Sequence, residues 1–204
     1  MPTRRAASAP PTPDAAPTLD APLRLDGPAD FDAWLTRHHA SSDGAWLQLA
    51  KAGTPGLRYA EALDVALCHG WIDGQKKSLD AHHFLQRFTP RRARSLWSRI
   101  NRDKALALIA AGRMRPAGQA QVDAAKADGR WDEAYAGARS ATVPPELQAA
   151  LDAQPAARAF FQALDGTNRY AVLWRVQTAR TPGTRARRIE QLVAMLARGE
   201  KIHG

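Results

Sequence analysis

Cysteine is almost missing from this chain: Cys68 is the only one in 204 residues. One thiol excludes an internal disulfide framework and fits a reducing compartment, so a cytoplasmic location is expected. No apolar run approaches the roughly 18 residues that a membrane-spanning helix needs. Arg4 and Arg5 near the start have no apolar stretch behind them, so no secretory signal is read there. The nucleotide and hydrolase signatures G-x-x-x-x-G-K-[ST], G-x-G-x-x-G and G-x-S-x-G do not occur. Neither do C-x-x-C or H-x-x-x-H, and His82 and His83, as neighbours on a strand, point to opposite faces. No metal site and no cofactor is implied. Cys68 and His69 diverge by about 100° on a helix, which makes them a poor nucleophile–base pair. Cys68 reads instead as a small buried hydrophobe.

Acidic residues are the scarcer charge, 20 against 29 Lys plus Arg, for a formal +9. The excess is concentrated. Nine basic residues and one acid lie between Arg87 and Arg115, and six arginines with no acid between Arg169 and Arg188. Outside these two segments the chain is mildly acidic. Guanidinium forks suit carboxylate and phosphate recognition, so the partner expected is a small or anionic ligand. Nucleic acid is the alternative, but no recognised nucleic-acid motif accompanies the arginines.

Proline and glycine divide the chain. Residues 1–22 hold six prolines and a single leucine, Leu19, and read as a disordered tail. Residues 23–94 read as an α+β domain. A helix follows Pro28 and ends near His39, a strand spans Ala45–Lys51, and a second helix runs from Tyr59 to a stop at Gly70. Two strands, Trp71–Ser78 and His82–Thr89, are joined by a tight turn at Leu79-Asp80-Ala81, which predicts a small antiparallel sheet. Residues 95–142 read as a helical connecting region. Ser95 is its expected N-cap, Trp97, Ile100, Ala107 and Leu108 its apolar stripe, and Gly112 and Gly129 its boundaries. Residues 143–204 read as an all-helical C-terminal bundle whose last helix carries Ile189, Leu192, Val193 and Leu196 on one face.

The densest chemical constellation lies around GWIDGQKK and QRFTPRR. Strand alternation puts Trp71, Asp73, Gln75 and Lys77 on one face, and Phe84, Gln86 and Phe88 on one face of the partner strand. Coincident faces would give aromatic walls around a carboxylate and two amides, the composition of a small-ligand site. Arg87, Thr89 and Arg91 stand at the strand exit. Trp97, Ser98 and Asn101 follow at a helix start, itself an anion-favouring position. An enzyme using Asp73 as general base is a weaker reading, because one carboxylate is not an acid–base pair. Binding rather than catalysis is expected.

These strings resemble a known family. CHGWIDGQKKSLD, QRFTPRRARSLWSRIN, GRMRPAG and AKADGRW, with the stretch from VPPEL to the last helix, are similar to the bacterial YdeI/OmpD-associated (bacteriocin-protection, OmdA-type) family over roughly residues 30–200. The motif positions are Gly70, Trp71, Asp73, Gly74, Arg87, Phe88, Thr89, Pro90, Ser95, Trp97, Ser98 and Asn101. The resemblance implies a role in stress or antimicrobial-peptide resistance and carries no reaction, cofactor or catalytic residue. Direct capture of cationic peptides sits badly with a +9 chain, so any protection is expected to be indirect or to use the acidic remainder.

Overall fold

The computed structural model describes residues 18–19 and 21–204, so most of the 1–22 tail lies outside the described residues. They form two compact units: residues up to 95 with 104–128, and residues 96–103 with 129–204. The division falls inside a helix, and the 95–142 segment is shared between the units.

In the first unit, β1 (Leu23–Arg24), α1 (Pro28–His38), β2 (Ala45–Ala50), α2 (Tyr59–Cys68), β3 (Trp71–Ser78) and β4 (His83–Pro90) form a four-stranded sheet with helices. Strand order is β1-β2-β4-β3. The β2–β4 and β4–β3 pairs are antiparallel as expected, and the two-residue edge strand β1 adds a parallel pairing, so the sheet is mixed. Phe88 and Trp71 sit under α1, with Phe31–Phe88 ring centroids 5.6 Å apart and Trp34 meeting Trp71 edge-on at 5.9 Å. Phe31, Leu35, Leu47, Leu49, Phe88 and Trp71 are all buried. The Asp80 carboxylate closes the β3–β4 turn by accepting from the His82 and His83 amides, both at 2.7 Å. Those amides hold its carboxyl below the usual range, His82 contributing most.

The pairing of β3 corrects the expected alternation. Asp73 lies opposite Phe88, but Lys76, not Gln75, lies opposite Gln86, and Ser78 opposite Phe84. A bulge between Asp73 and Lys76 absorbs the extra residue, leaves Gln75 without a partner in the register and moves Lys77 to the other face, opposite Leu85. The buried Gln86 amide fixes this irregularity by donating to the Gly74 carbonyl at 3.0 Å and the Gln75 carbonyl at 3.1 Å.

Next come α3 (Arg99–Ala110) and α4 (Pro116–Ala127). Ser98, not Ser95, caps α3, accepting from the Asn101 amide at 3.1 Å, whereas the Ser95 hydroxyl accepts from the Arg92 amide in the preceding turn. Ile100 is 57% exposed, so the expected stripe fails there; Ala105 and Leu108 are the buried positions of α3. Within the first unit, α4 packs tightly on the end of α2. A Cβ on Gly118 would collide with the Leu67 and Cys68 carbonyls and the Met114 sulfur, so only glycine fits.

The second unit is helical, with α5 (Pro145–Asp152), α6 (Pro155–Ala163), α7 (Gly166–Gln177) and α8 (Pro182–Ala197). Leu147, Leu151, Phe161, Val172, Val176 and the four apolar residues predicted on α8 make one buried cluster. Asp165 caps α7, accepting from the Asn168 amide at 2.8 Å, and Thr181 caps α8, accepting from the Thr184 amide at 3.1 Å. Trp97 packs against Trp131 at 4.9 Å.

Candidate functional site

The ten residues singled out from the sequence are divided between the two units. Trp71, Asp73, Gln75, Gln86, Arg87, Thr89 and Arg91 belong to the first unit, and Trp97, Ser98 and Asn101 to the second. Trp71 is core, with its indole N–H donating to the His39 carbonyl at 3.1 Å. The Tyr59 hydroxyl donates to Asp73 at 2.8 Å, Gln86 is engaged at the bulge, and Gln75 is exposed. Arg87 and Thr89 crowd Gly44, where φ is positive and a Cβ would lie 3.0–3.1 Å from them. Arg91 is buried, and its backbone N–H bonds the Gly70 carbonyl at 3.0 Å. Trp97 is buried, Ser98 is a cap, and Asn101 is half-buried on α3. None of the ten lines either pocket described below.

One pocket lies in the second unit, with a volume of about 490 Å³. Tyr135 builds one wall through a short backbone bridge: its N–H bonds the Trp97 carbonyl and its carbonyl accepts from Arg99 N–H, both at 2.9 Å. Gln177 fixes the next residue by bonding both the N–H and the carbonyl of Ala136 at 3.0 Å. The end of α7 and the start of α8 supply the opposite wall. Three arginines converge here, Arg99 from the first basic segment and Arg180 and Arg185 from the second. Asp132, Glu133 and Glu146 share the lining. Arg185 reaches Glu146 at 3.6 Å, while its Nε is buried with no hydrogen-bond partner among the described residues. Arg99 Nε donates to the Ala134 carbonyl at 3.3 Å.

The two threonine hydroxyls beside these charges are committed. Thr178 donates to the Trp174 carbonyl at 2.7 Å and Thr181 caps α8. The arrangement provides charged forks and carboxylates for holding a ligand.

A second pocket, about 370 Å³, opens in the first unit between the start of α1 and the loop before α4. Asp32 projects into it, accepting from the buried His69 Nε2 at 2.8 Å and from Arg115 at 2.9 Å. Burial alone would push the Asp32 carboxyl up, but the bonds from His69 and Arg115 outweigh it and hold it below its usual value. A carboxylate so stabilised is a weak base. Cys68 also lines this pocket, and burial pushes its thiol up, away from the reactive thiolate. Sequence reading placed His69 beside Cys68 and missed its partner, because Asp32 lies 37 positions away.

Two family models match separate stretches. Residues 140–199 match the family described as Bacteriocin-protection, YdeI or OmpD-Associated. The similarity to that family lies in the C-terminal part of the chain. The resemblance read over roughly 30–200 therefore narrows: residues 23–121 match a different model, Domain of unknown function (DUF8412). No curated protein and no solved structure matches the chain. The OmdA-type segment contains α5 to α8 and supplies Glu146, Gln177, Arg180 and Arg185 to the arginine-lined pocket, whereas Arg99 and the Asp132–Tyr135 wall precede it. Among the described residues no helix is long and apolar enough to cross a membrane.

Proposed function

We propose that this bacteriocin-protection-type chain acts in stress or peptide resistance as a binding protein. It takes a small ligand bearing a carboxylate or phosphate at Arg99, Arg180 and Arg185. The observation that carries this reading is the convergence of the two arginine-rich segments on one pocket, where the buried Arg185 Nε offers a donor without an acceptor. The start of α8 adds the positive end of a helix dipole. Asp132, Glu133 and Glu146 on the same lining favour a ligand that also carries an amine, such as an acidic amino acid or a short peptide end. This moves the ligand site expected near GWIDG and RFTPRR into the second unit, beside Trp97 and Ser98 in sequence rather than at them.

The test is calorimetry and thermal-shift measurement with sodium phosphate, glutamate and glycyl-glutamate as probes. Glutamate or the dipeptide should raise the unfolding temperature, and Arg180→Ala should weaken binding by about tenfold, the loss of one good charged contact. Arg37→Ala, an exposed change on α1, serves as the control. Equal binding by the Arg180→Ala protein, or no binding of any probe, would overturn the proposal. Tighter binding of a DNA oligonucleotide, weakening steeply with salt, would favour the nucleic-acid alternative.

A further inference from the structure

A further surface of the second unit adjoins this pocket, sharing Leu96 and Thr178 with it, and centres on Trp174. Helix α7 turns Ala171, Val172, Leu173 and Val176 into the core, and the intervening Trp174 is left 40% exposed. It is the only exposed aromatic of its unit among the described residues. Trp174 and Arg175 border two grooves. One, about 560 Å³, is lined by Tyr170, Ala171, Thr167 and His203 among others. The other, about 490 Å³, runs over Leu96, Leu192, Met195 and Arg188. Neither groove has an aspartate or glutamate in its lining, and no acidic residue occurs between Arg169 and Arg188. Arg188 is held in place by donating to the Arg175 carbonyl at 2.7 Å.

We infer that this Trp174 face docks an acidic, amphipathic peptide segment of another protein. Apolar grooves on both sides of one indole match aliphatic side chains spaced one helical turn apart, about 5–6 Å, which can straddle the ring. Acidic residues flanking them would meet Arg175 and Arg188. A partly exposed tryptophan bordered by arginine has the composition of an interface anchor. A single-stranded nucleic acid is less well served, because one exposed indole is a single stacking platform and the groove over Leu96, Leu192 and Met195 offers aliphatic walls. A second copy related by a two-fold axis would bring this acid-free face against itself, with like charges opposed.

The experiment uses the full chain and a fluorescein-labelled helical peptide of about 18 residues, with leucines at i, i+3, i+4 and i+7 and glutamates on either side. A version with lysine for every glutamate and an oligothymidylate are the comparators, read by fluorescence anisotropy. The glutamate peptide should bind at least about tenfold more tightly than the lysine peptide. Trp174→Ala should weaken it, and Arg175→Glu should reverse the preference between the two peptides. Circular dichroism checks that both variants remain folded. Equal binding of the two peptides, unchanged binding by Trp174→Ala, or tighter binding of the oligothymidylate would each overturn the inference. So would a dimer of the free protein in sedimentation analysis that Trp174→Ala dissociates, because the face would then belong to a second copy.

Discussion

Replacing Gln86 tests the link between one buried side chain and the register of a whole strand. Its amide is 3% exposed and donates to the carbonyls of Gly74 and Gln75, the residues inside the β3 bulge. Gln86→Leu keeps most of the volume and removes both bonds, together with a longer one to the Arg87 carbonyl at 3.3 Å. Each is worth about 1 kcal/mol net, and because Gly74 and Gln75 are exposed, water can reach the freed carbonyls. The expected cost is therefore about 1–2 kcal/mol. Gln86→Glu should behave differently, since an ionised carboxylate is acceptor-only and would face two carbonyl oxygens from a buried position. Its cost near neutral pH should exceed about 3 kcal/mol.

The pH dependence separates the two variants. A buried carboxyl facing carbonyls has its folded-state pKa raised above the unfolded value of about 4.3. The native state then binds more protons, so stability falls as pH rises through the window between the unfolded and folded values. Below that window the protonated acid can donate to one carbonyl, and Gln86→Glu should approach Gln86→Leu. Urea unfolding at several pH values measures both, with hydrogen exchange at β3 amides locating the effect in the first unit. A Gln86→Leu protein within about 0.5 kcal/mol of the parent, or a Gln86→Glu protein parallel to it at every pH, would show that the amide does not hold the bulge.

Three further outcomes follow from the same reasoning. Gly118→Ala should destabilise by about 1–3 kcal/mol in urea, although alanine is the better helix former by about 1 kcal/mol, because its Cβ would strike the end of α2. Asp32→Asn should flatten the acid limb of the stability curve. The wild-type carboxyl is held below its usual value, so its contribution is present above the unfolded pKa and lost as pH falls through the lower folded one. Asn168→Ala should cost about 2–3 kcal/mol in thermal unfolding, since that buried amide bonds Asp165 and both the N–H and carbonyl of His203. The companion Asp165→Ala, losing a cap, should cost about 1 kcal/mol.

The helices were legible because their punctuation is local. Pro28, Pro116, Pro145, Pro155 and Pro182 each open a helix, where a preset φ and a missing N–H cost nothing. Gly70, Gly112 and Gly129 follow helix ends at positive φ, as their positions implied. The bulge was not legible, because GWIDGQKK alternates well enough on its own and the extra residue shows only against the partner strand. Ser95 and Ser98 offer the same capping chemistry three positions apart, and the choice between them depends on backbone pairing with Tyr135.

The arginines show why charge density located a region but not a site. Within the first basic segment, Arg91 is buried, Arg99 bonds the Ala134 carbonyl and Arg115 bonds Asp32. In the second, Arg188 bonds the Arg175 carbonyl and Arg169 lies over the Phe161 ring at 4.4 Å. A guanidinium has five donors and a flat face, so one residue type can bind backbone, carboxylate or ring. Formal charge counts all of these alike. What distinguishes Arg180 and Arg185 is their place at the α7–α8 junction, where they face a cavity and carboxylates from other parts of the second unit. That property depends on three-dimensional neighbours more than 30 positions away. The +9 of the chain should therefore overstate the salt dependence of ligand binding, whose slope reports only the charges the ligand meets.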